Sequence, residues 1–162
     1  MSMSRWFGRF LIGALVVLGA ACQQSHPNAV YSDPDSVAAI DTILDKAVAA
    51  AGAANAEGVL ASTTTDGTFT FITGDTMLTG YDEALADFKK TYALLRGQTN
   101  QIIEKRIRFL TPDVVLVSAV SEGTYTDKAG FTSPLVGLGS TAVFVRRGGA
   151  WRLIHYHQSV AK

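Results

Sequence analysis

Two histidines near the end of the chain are the strongest candidates for chemistry. His155 and His157 lie in the run from Trp151 to Val160, which predicts a β-strand. Because alternate residues of a strand share a face, both imidazoles would point to one side, toward any pocket on the concave face of a sheet. Close imidazoles oppose each other's protonation, so one could act as a general base near neutral pH. The alternative is that both are half-buried, hydrogen-bonded residues that complete the strand.

The same pair has the spacing of two metal ligands on one strand. A catalytic zinc site has three protein ligands, and the remaining histidine, His26, precedes the predicted domain. Glu122 or Asp75 could complete a site, but nothing in their spacing requires it. We therefore predict no metal and no cofactor, since the sequence also has no phosphate-binding loop, dinucleotide fingerprint or Gly-x-Ser-x-Gly motif.

Glu122 is the best candidate for an acidic partner of the histidines. It shares a predicted strand face with Leu116, Ser118 and Val120. Such an acid is either buried and functional or at the solvated end of its strand, and burial near the histidines would raise its pKa. Asp75 follows Gly74, where aspartates commonly close turns. The predicted catalytic set is therefore His155 and His157 with Glu122.

A second group of residues could line an apolar pocket. Phe69, Phe71, Phe88 and Phe144 would supply apolar walls. Tyr92 and Tyr125 could place hydroxyls in the pocket or act as core residues with a polar tip. The predicted ligand-binding residues are Phe71, Asp75, Phe88, Tyr92, Tyr125 and Trp151.

The N-terminal segment predicts export. Arg5 and Arg9 precede the uncharged apolar run from Phe10 to Ala21, and Cys22 follows it directly. This is the layout of a signal peptide, and the run is shorter than the roughly 20 residues of a membrane span. Cys22, the single cysteine, is predicted to receive lipid, although Gly19 stands where the usual leucine is expected. The alternative is cleavage after Ala21 and a free thiol.

These features define the predicted organisation. Residues 1–21 form the signal peptide, 22–33 a tether and 34–162 one domain, exported and held at the periplasmic or cell-envelope face of a membrane by lipid on Cys22. The formal net charge is +0. Because the leader removes two arginines and no acids, the mature chain is slightly acidic. Without a basic cluster, we predict no nucleic-acid partner.

The element order predicts an α+β fold. Asp33-Pro34-Asp35 starts a helix that continues through Ala54, and 56–62 is a short helix or turn. A strand at 67–73 precedes a third helix that carries Leu85, Phe88, Tyr92 and Leu95 and ends at Gly97. Strands follow at 101–110, 114–125, 134–146 and 151–160. Helices would then cover the concave face of a curved antiparallel sheet.

The chain resembles SnoaL-like domains of the nuclear transport factor 2-like superfamily (DUF4440-type). The final strand of that family tends to read Gly-x-Trp-[Lys/Arg]-[Ile/Leu]-x-x-x-His-x-Ser. The matching residues are Trp151, Arg152, Leu153, His157 and Ser159, and the segment 78–85 resembles the family's approach to its third helix.

This resemblance implies a cone-shaped (cystatin-like) fold, a pocket between sheet and helices, and homodimerisation through the sheet. The family includes both enzymes and binders, so the fold alone does not decide the function. We predict an envelope-anchored protein that binds a small apolar or amphipathic molecule in the cone. The alternative is an isomerase, dehydratase or hydrolase with His155 or His157 as general base.

Overall fold

The computed structural model describes residues 31–160. Three helices and six strands follow one another along the chain: α1 (Pro34–Gly52), α2 (Ala56–Val59), β1 (Thr70–Thr73), β2 (Thr76–Thr79), α3 (Tyr81–Tyr92), β3 (Leu95–Thr111), β4 (Val114–Asp127), β5 (Thr132–Arg147) and β6 (Ala150–Val160). The predicted signal peptide and Cys22 lie outside the described residues. Within the described range, no helix is both long and apolar enough to cross a membrane.

All six strands form one sheet in the order β2-β1-β6-β5-β4-β3. The neighbours are antiparallel except for β1 and β6, which run parallel. The predicted α+β class with N-terminal helices against a curved sheet is confirmed, and the pairing of β1 with β6 adds one parallel pair to the predicted antiparallel strands. β1 is separated from β6 by most of the domain, so a parallel pairing between them needs no tight connection.

Two predicted boundaries are wrong. The third helix ends at Tyr92 rather than Gly97, and β3 begins at Leu95, because this stretch pairs with the end of β4. Periodicity alone could not reveal that partner. The sequence analysis places no strand between 67–73 and the third helix, but Thr76–Thr79 forms β2, a hairpin with β1 across a turn in which Gly74 has φ +59°.

The first helix is held to the sheet by a polar contact and an apolar core. Pro34 opens the helix after Asp33, whose carboxylate accepts hydrogen bonds from Ser36 and from Arg146 of β5. The Arg146 guanidinium also lies 4.7 Å from the centroid of the Trp151 ring. One turn further along α1, the side chain of Ile40 is fully buried against the sheet.

The buried residues form two clusters rather than one. One cluster lies under α1 and comprises Ile40, Val115, Val117, Ala142, Phe144 and Trp151. The other lies between α3 and the β1–β2 hairpin and comprises Leu60, Phe69, Phe71, Leu78 and Ala84. Leu153 and Tyr156 pack against both clusters. The final strand therefore joins the two cores, and the space between them is not filled.

Bulges bend the long strands. The register of β3 with β4 shifts at three places, and a further shift interrupts the pairing of β5 with β6. In β6, Leu153 pairs with Phe144 and His155 pairs with Val143, so Ile154 is an extra residue without a partner on β5. A bulge of this kind turns the following side chains to the opposite face.

Gly123 allows a close approach of β3 and β4. A Cβ atom at this position would lie 2.8 Å from the carbonyl carbon of Thr99 and 3.1 Å from the Cα of Asn100. Both atoms belong to the backbone, so neither can move away cheaply. We expect Gly123→Ala to lower the free energy of unfolding by about 1–3 kcal/mol, as overpacking does, measured by urea denaturation.

The matched control for this change is Gly97→Ala in β3. A Cβ at Gly97 would meet no atom within 4 Å, so this variant should stay within about 0.5 kcal/mol of the wild type. Equal stabilities for the two variants would contradict the close approach at Gly123.

Candidate functional site

A cavity of about 440 Å³ lies between the concave face of the sheet and the helices. Its walls are mostly apolar and come from every layer of the fold. The apolar lining includes Ile43, Leu44, Ala47 and Val48 of α1, Phe88 of α3, Val117 and Ala119 of β4, and Leu138, Ala142 and Phe144 of β5. A space of this size accommodates a small organic molecule.

Four aromatic rings form a continuous row along one wall, which we call the aromatic row. Tyr92 contacts Phe88 edge to face at 5.7 Å, and Phe88 lies 5.2 Å from Phe71. Phe71 stacks on Tyr156 at 5.8 Å with an angle of 8° between the rings. The row therefore has an apolar middle and a phenol at each end, and all four residues line the cavity.

The two phenols of the aromatic row lose their protons less readily than the phenol of a tyrosine in water does. Burial raises the pKa of Tyr156 above its ordinary value of 10.0, and a hydrogen bond with the Ser140 side chain partly offsets this. Burial likewise raises the pKa of Tyr92, opposed by a hydrogen bond with Gln98 and reinforced by the charge that Tyr156 would carry. Both phenols are therefore neutral near pH 7, able to donate and to accept hydrogen bonds.

Three amide side chains are part of the polar lining as well. Gln98 donates from Nε2 to the carbonyl of Ala51, and Gln158 donates to Thr73 Oγ1 at 3.2 Å. Asn100 also lines the cavity, and its Oδ1 atom is buried without a hydrogen-bond partner among the described residues. An unpaired buried amide is costly, so a molecule in the cavity that lets Asn100 reorient and pair would gain affinity.

The predicted orientation of the histidines is wrong. His155 pairs with Val143 and His157 with Thr141, and none of these side chains lines the cavity. The bulge at Ile154 is the cause, because it moves Tyr156 and Gln158 to the concave face and both histidines to the convex face. His155 is half-buried there and His157 is exposed.

The other predicted residues divide into two groups. Phe71, Phe88 and Tyr92 line the cavity. Glu122, Asp75, Tyr125 and Trp151 do not: the first three are exposed, and Trp151 is buried in the core under α1. Glu122 lies at a convex-face position, and Asp75 lies in the β1–β2 turn with Thr76 Oγ1 at 3.4 Å from its carboxylate. The structure therefore does not bring the predicted catalytic set together.

Sequence reasoning missed ten polar lining residues: Ser62, Thr73, Asp87, Thr91, Gln98, Asn100, Ser121, Ser140, Tyr156 and Gln158. Asp87 is the carboxylate of the lining and is half-buried on α3. A signal for Tyr156 was present in the sequence, because Leu153 and Ile154 are adjacent apolar residues that shift the alternating pattern of the strand. Within residues 31–160, no three histidine, cysteine, aspartate or glutamate side chains are grouped as metal ligands would be.

The chain is similar to known domains over most of its length. The SnoaL-like domain family matches residues 40–162. No curated protein sequence matches at a significant level.

Several solved structures share the fold. A nuclear transport factor 2-like superfamily protein from Salmonella enterica aligns at 14% identity over 80% of this chain and 95% of its own, with a TM-score of 0.72. A protein with a cystatin-like fold from Caulobacter vibrioides aligns at 17% identity over 79% and 91%, with a TM-score of 0.68. A protein provisionally named scytalone dehydratase from Novosphingobium aromaticivorans aligns at 14% identity over 80% and 86%, with a TM-score of 0.72.

The raised pKa values of the buried phenols lead to a test in alkaline solution. A group whose pKa is higher in the folded than in the unfolded chain stabilises the fold below the unfolded value, and this contribution is lost as pH rises through the folded value. Stability should therefore fall above about pH 10, and Tyr156→Phe should make that fall shallower. Denaturation at a series of pH values, with ultraviolet titration of the phenols, measures both effects.

The control is Tyr125→Phe, which removes an exposed phenol. This variant should leave the last-titrating phenols and the alkaline loss of stability unchanged. If Tyr156→Phe and Tyr125→Phe gave the same titration curve, Tyr156 would not be held in a buried, ionisation-resistant site.

Proposed function

The chain belongs to the SnoaL-like domain family, and we propose that it binds a small, largely apolar molecule with hydrogen-bonding groups in the cavity of the cone. The observation that supports this most directly is the aromatic row, which gives the cavity an apolar wall with a phenol at each end. Flat apolar or amphipathic molecules suit such a wall, because ring faces stack on them and the phenols fix their orientation.

The positions and protonation states of the candidate bases favour ligand binding over histidine-based catalysis. A general base must be deprotonated near working pH and within reach of the substrate. The two phenols are protonated there, and both histidines face away from the cavity. The alternative of an isomerase, dehydratase or hydrolase that uses His155 or His157 is therefore not supported, because neither histidine reaches the cavity, where Asp87 is the carboxylate of the lining.

We also propose that the protein is exported and held at the cell envelope by lipid on Cys22. The support is the order of Arg5 and Arg9, an apolar run and a small-residue segment before the single cysteine. The membrane and a small molecule are then its partners. Homodimerisation through the sheet, which the family resemblance implies, stays a prediction.

Filling the cavity tests the binding function. Ala119 lines the cavity from β4, so Ala119→Trp should place an indole in the space that the ligand would occupy. The neutral fluorescent amine N-phenyl-1-naphthylamine serves as a probe of apolar character with one donor. We expect its dissociation constant to rise at least about tenfold, which corresponds to roughly 1.4 kcal/mol.

The matched control is Ser118→Trp, one residue earlier in the same strand. Ser118 is exposed and lies on the opposite face, so probe binding should equal that of the wild type. Circular dichroism of both variants establishes that they are folded. Equal probe affinity in Ala119→Trp and the wild type would contradict binding in the cavity.

Mass spectrometry of the mature N-terminus tests the anchor. The expected chain begins at Cys22 with a covalently attached lipid and partitions into the detergent phase. Cys22→Ser removes the acceptor thiol, so this variant should carry no lipid. A wild-type chain that begins at an unmodified Cys22 would refute the anchor without affecting the cavity.

A further inference from the structure

The turn between β4 and β5 carries exposed apolar side chains that no part of the described chain covers. Phe131 is 69% exposed at this turn, and Leu94, just before β3, is 64% exposed. Tyr125, near the end of β4, is 39% exposed. Large apolar side chains concentrated at one end of a domain indicate a contact surface rather than scattered surface residues.

Backbone hydrogen bonds hold these segments together. The amide of Lys128 donates to the Leu94 carbonyl at 3.2 Å, which fixes the start of β3 against the turn. The turn is closed by the amide of Asp127, which donates to the Phe131 carbonyl at 3.0 Å, and by the amide of Phe131, which donates to Asp127 Oδ1 at 2.9 Å. The exposed side chains therefore project from an ordered turn.

Two cations flank the apolar residues. Lys128 lies in the turn. The Arg96 guanidinium reaches the same turn, since its Nη1 atom would lie 4.0 Å from a Cβ atom added at Gly130. Both side chains are exposed, and neither forms an ion pair with a carboxylate in the described part of the chain. We call Leu94, Arg96, Tyr125, Lys128 and Phe131 the tip patch. Aromatic and aliphatic tips beside unpaired cations match the interface of a bilayer that contains anionic lipid.

The tip patch adjoins the cavity. Tyr125 pairs in register with Gln98, so both lie on the concave face, and Gln98 lines the cavity. The last turn of α3 also lines it through Thr91 and Tyr92, two to three residues before Leu94. A surface that receives the tip patch would therefore lie against this end of the cavity.

We propose that the tip patch docks on a membrane surface containing anionic phospholipid and thereby turns this end of the cavity toward the bilayer. The proposal goes beyond ligand binding and uses the proposed anchor only for proximity. The proposed anchor precedes the start of α1. This helix has 19 residues and is about 28 Å long. Its far end contacts Gln98 near the start of β3, so the tip patch lies about that distance from the anchored end. The Tyr31 ring lies 5.2 Å from that of Phe109 on the sheet, so the free tether is residues 23–30, which reach at most about 26–29 Å when extended. This reach matches the length of α1, so an anchored domain can lie with its tip patch on the same membrane.

A dye at the turn tests the docking in the full chain. Cys22→Ser removes the single thiol, and Ala129→Cys then places a nitrobenzoxadiazole label at an exposed residue inside the turn while Phe131 stays intact. Mixed with vesicles of phosphatidylglycerol and phosphatidylethanolamine, the label should shift its emission to shorter wavelength and be quenched by lipids that carry nitroxides. Replacing both Leu94 and Phe131 by serine should reduce the quenching at least threefold.

The control label is Ser118→Cys on the convex face, which should remain in water on the same vesicles. Because the apolar leader recruits both labelled chains, the comparison reports which surface of the domain meets the bilayer. The proposal is overturned if the label at Ala129 stays in water on vesicle-bound protein, or if both labels are quenched equally. A blue shift without vesicles that grows with protein concentration would assign the tip patch to a second copy and would also overturn it. Binding of N-phenyl-1-naphthylamine by the same chains, measured without vesicles, shows whether the cavity binds the probe, independently of whether the tip patch docks on a membrane.

Discussion

The bulge at Ile154 determines which side chains of the final strand reach the cavity. Before the bulge, Leu153 bridges to Thr63, and after it His155 pairs in parallel with Thr70 of β1. On the side of β6 away from β5, the neighbour therefore changes from Thr63 to β1 at the position where the side chains of β6 change face. Without the extra residue, the histidines would face the cone and Tyr156 would not. The joining of the two cores and the polar end of the aromatic row both depend on this residue.

Among the residues that the structure describes, the side chains packed against both buried clusters come from β6, and the cavity lies between the clusters. Leu153 and Tyr156 contact both clusters, and Tyr156 stacks on Phe71. Rings that support one another in this way keep a wall in place without filling the space beside it. The strands place the amides of Gln98 and Gln158 in the lining, and each donates a hydrogen bond to another part of the protein. Asn100 is the exception, since its amide oxygen is buried without a partner among the described residues.

The sequence was sufficient for the class of fold and for most elements, because strong local signals mark them. Asp33 and Pro34 predict the start of α1, and the phenylalanines at 71 and 88 were assigned to the cavity wall that they form. The failures share a physical cause. The start of β3 at Leu95, the parallel partner of β6 and the bulge at Ile154 are set by pairing between residues distant in sequence. The adjacent apolar residues Leu153 and Ile154 mark the bulge in the sequence, but no local pattern encodes the partner of a strand directly.

The position of β6 in the sheet also governs when this fold can be completed. β6 lies between β5 and β1, although it is the last strand along the chain. The β1–β2 hairpin thus has no place in the sheet until the residues around His155 are available. A chain still emerging from the ribosome can form helices and the meander from β3 to β5, but it cannot close the cone. Late closure delays completion of the cone until synthesis is nearly finished, which suits the proposed export of the chain in an unfolded state.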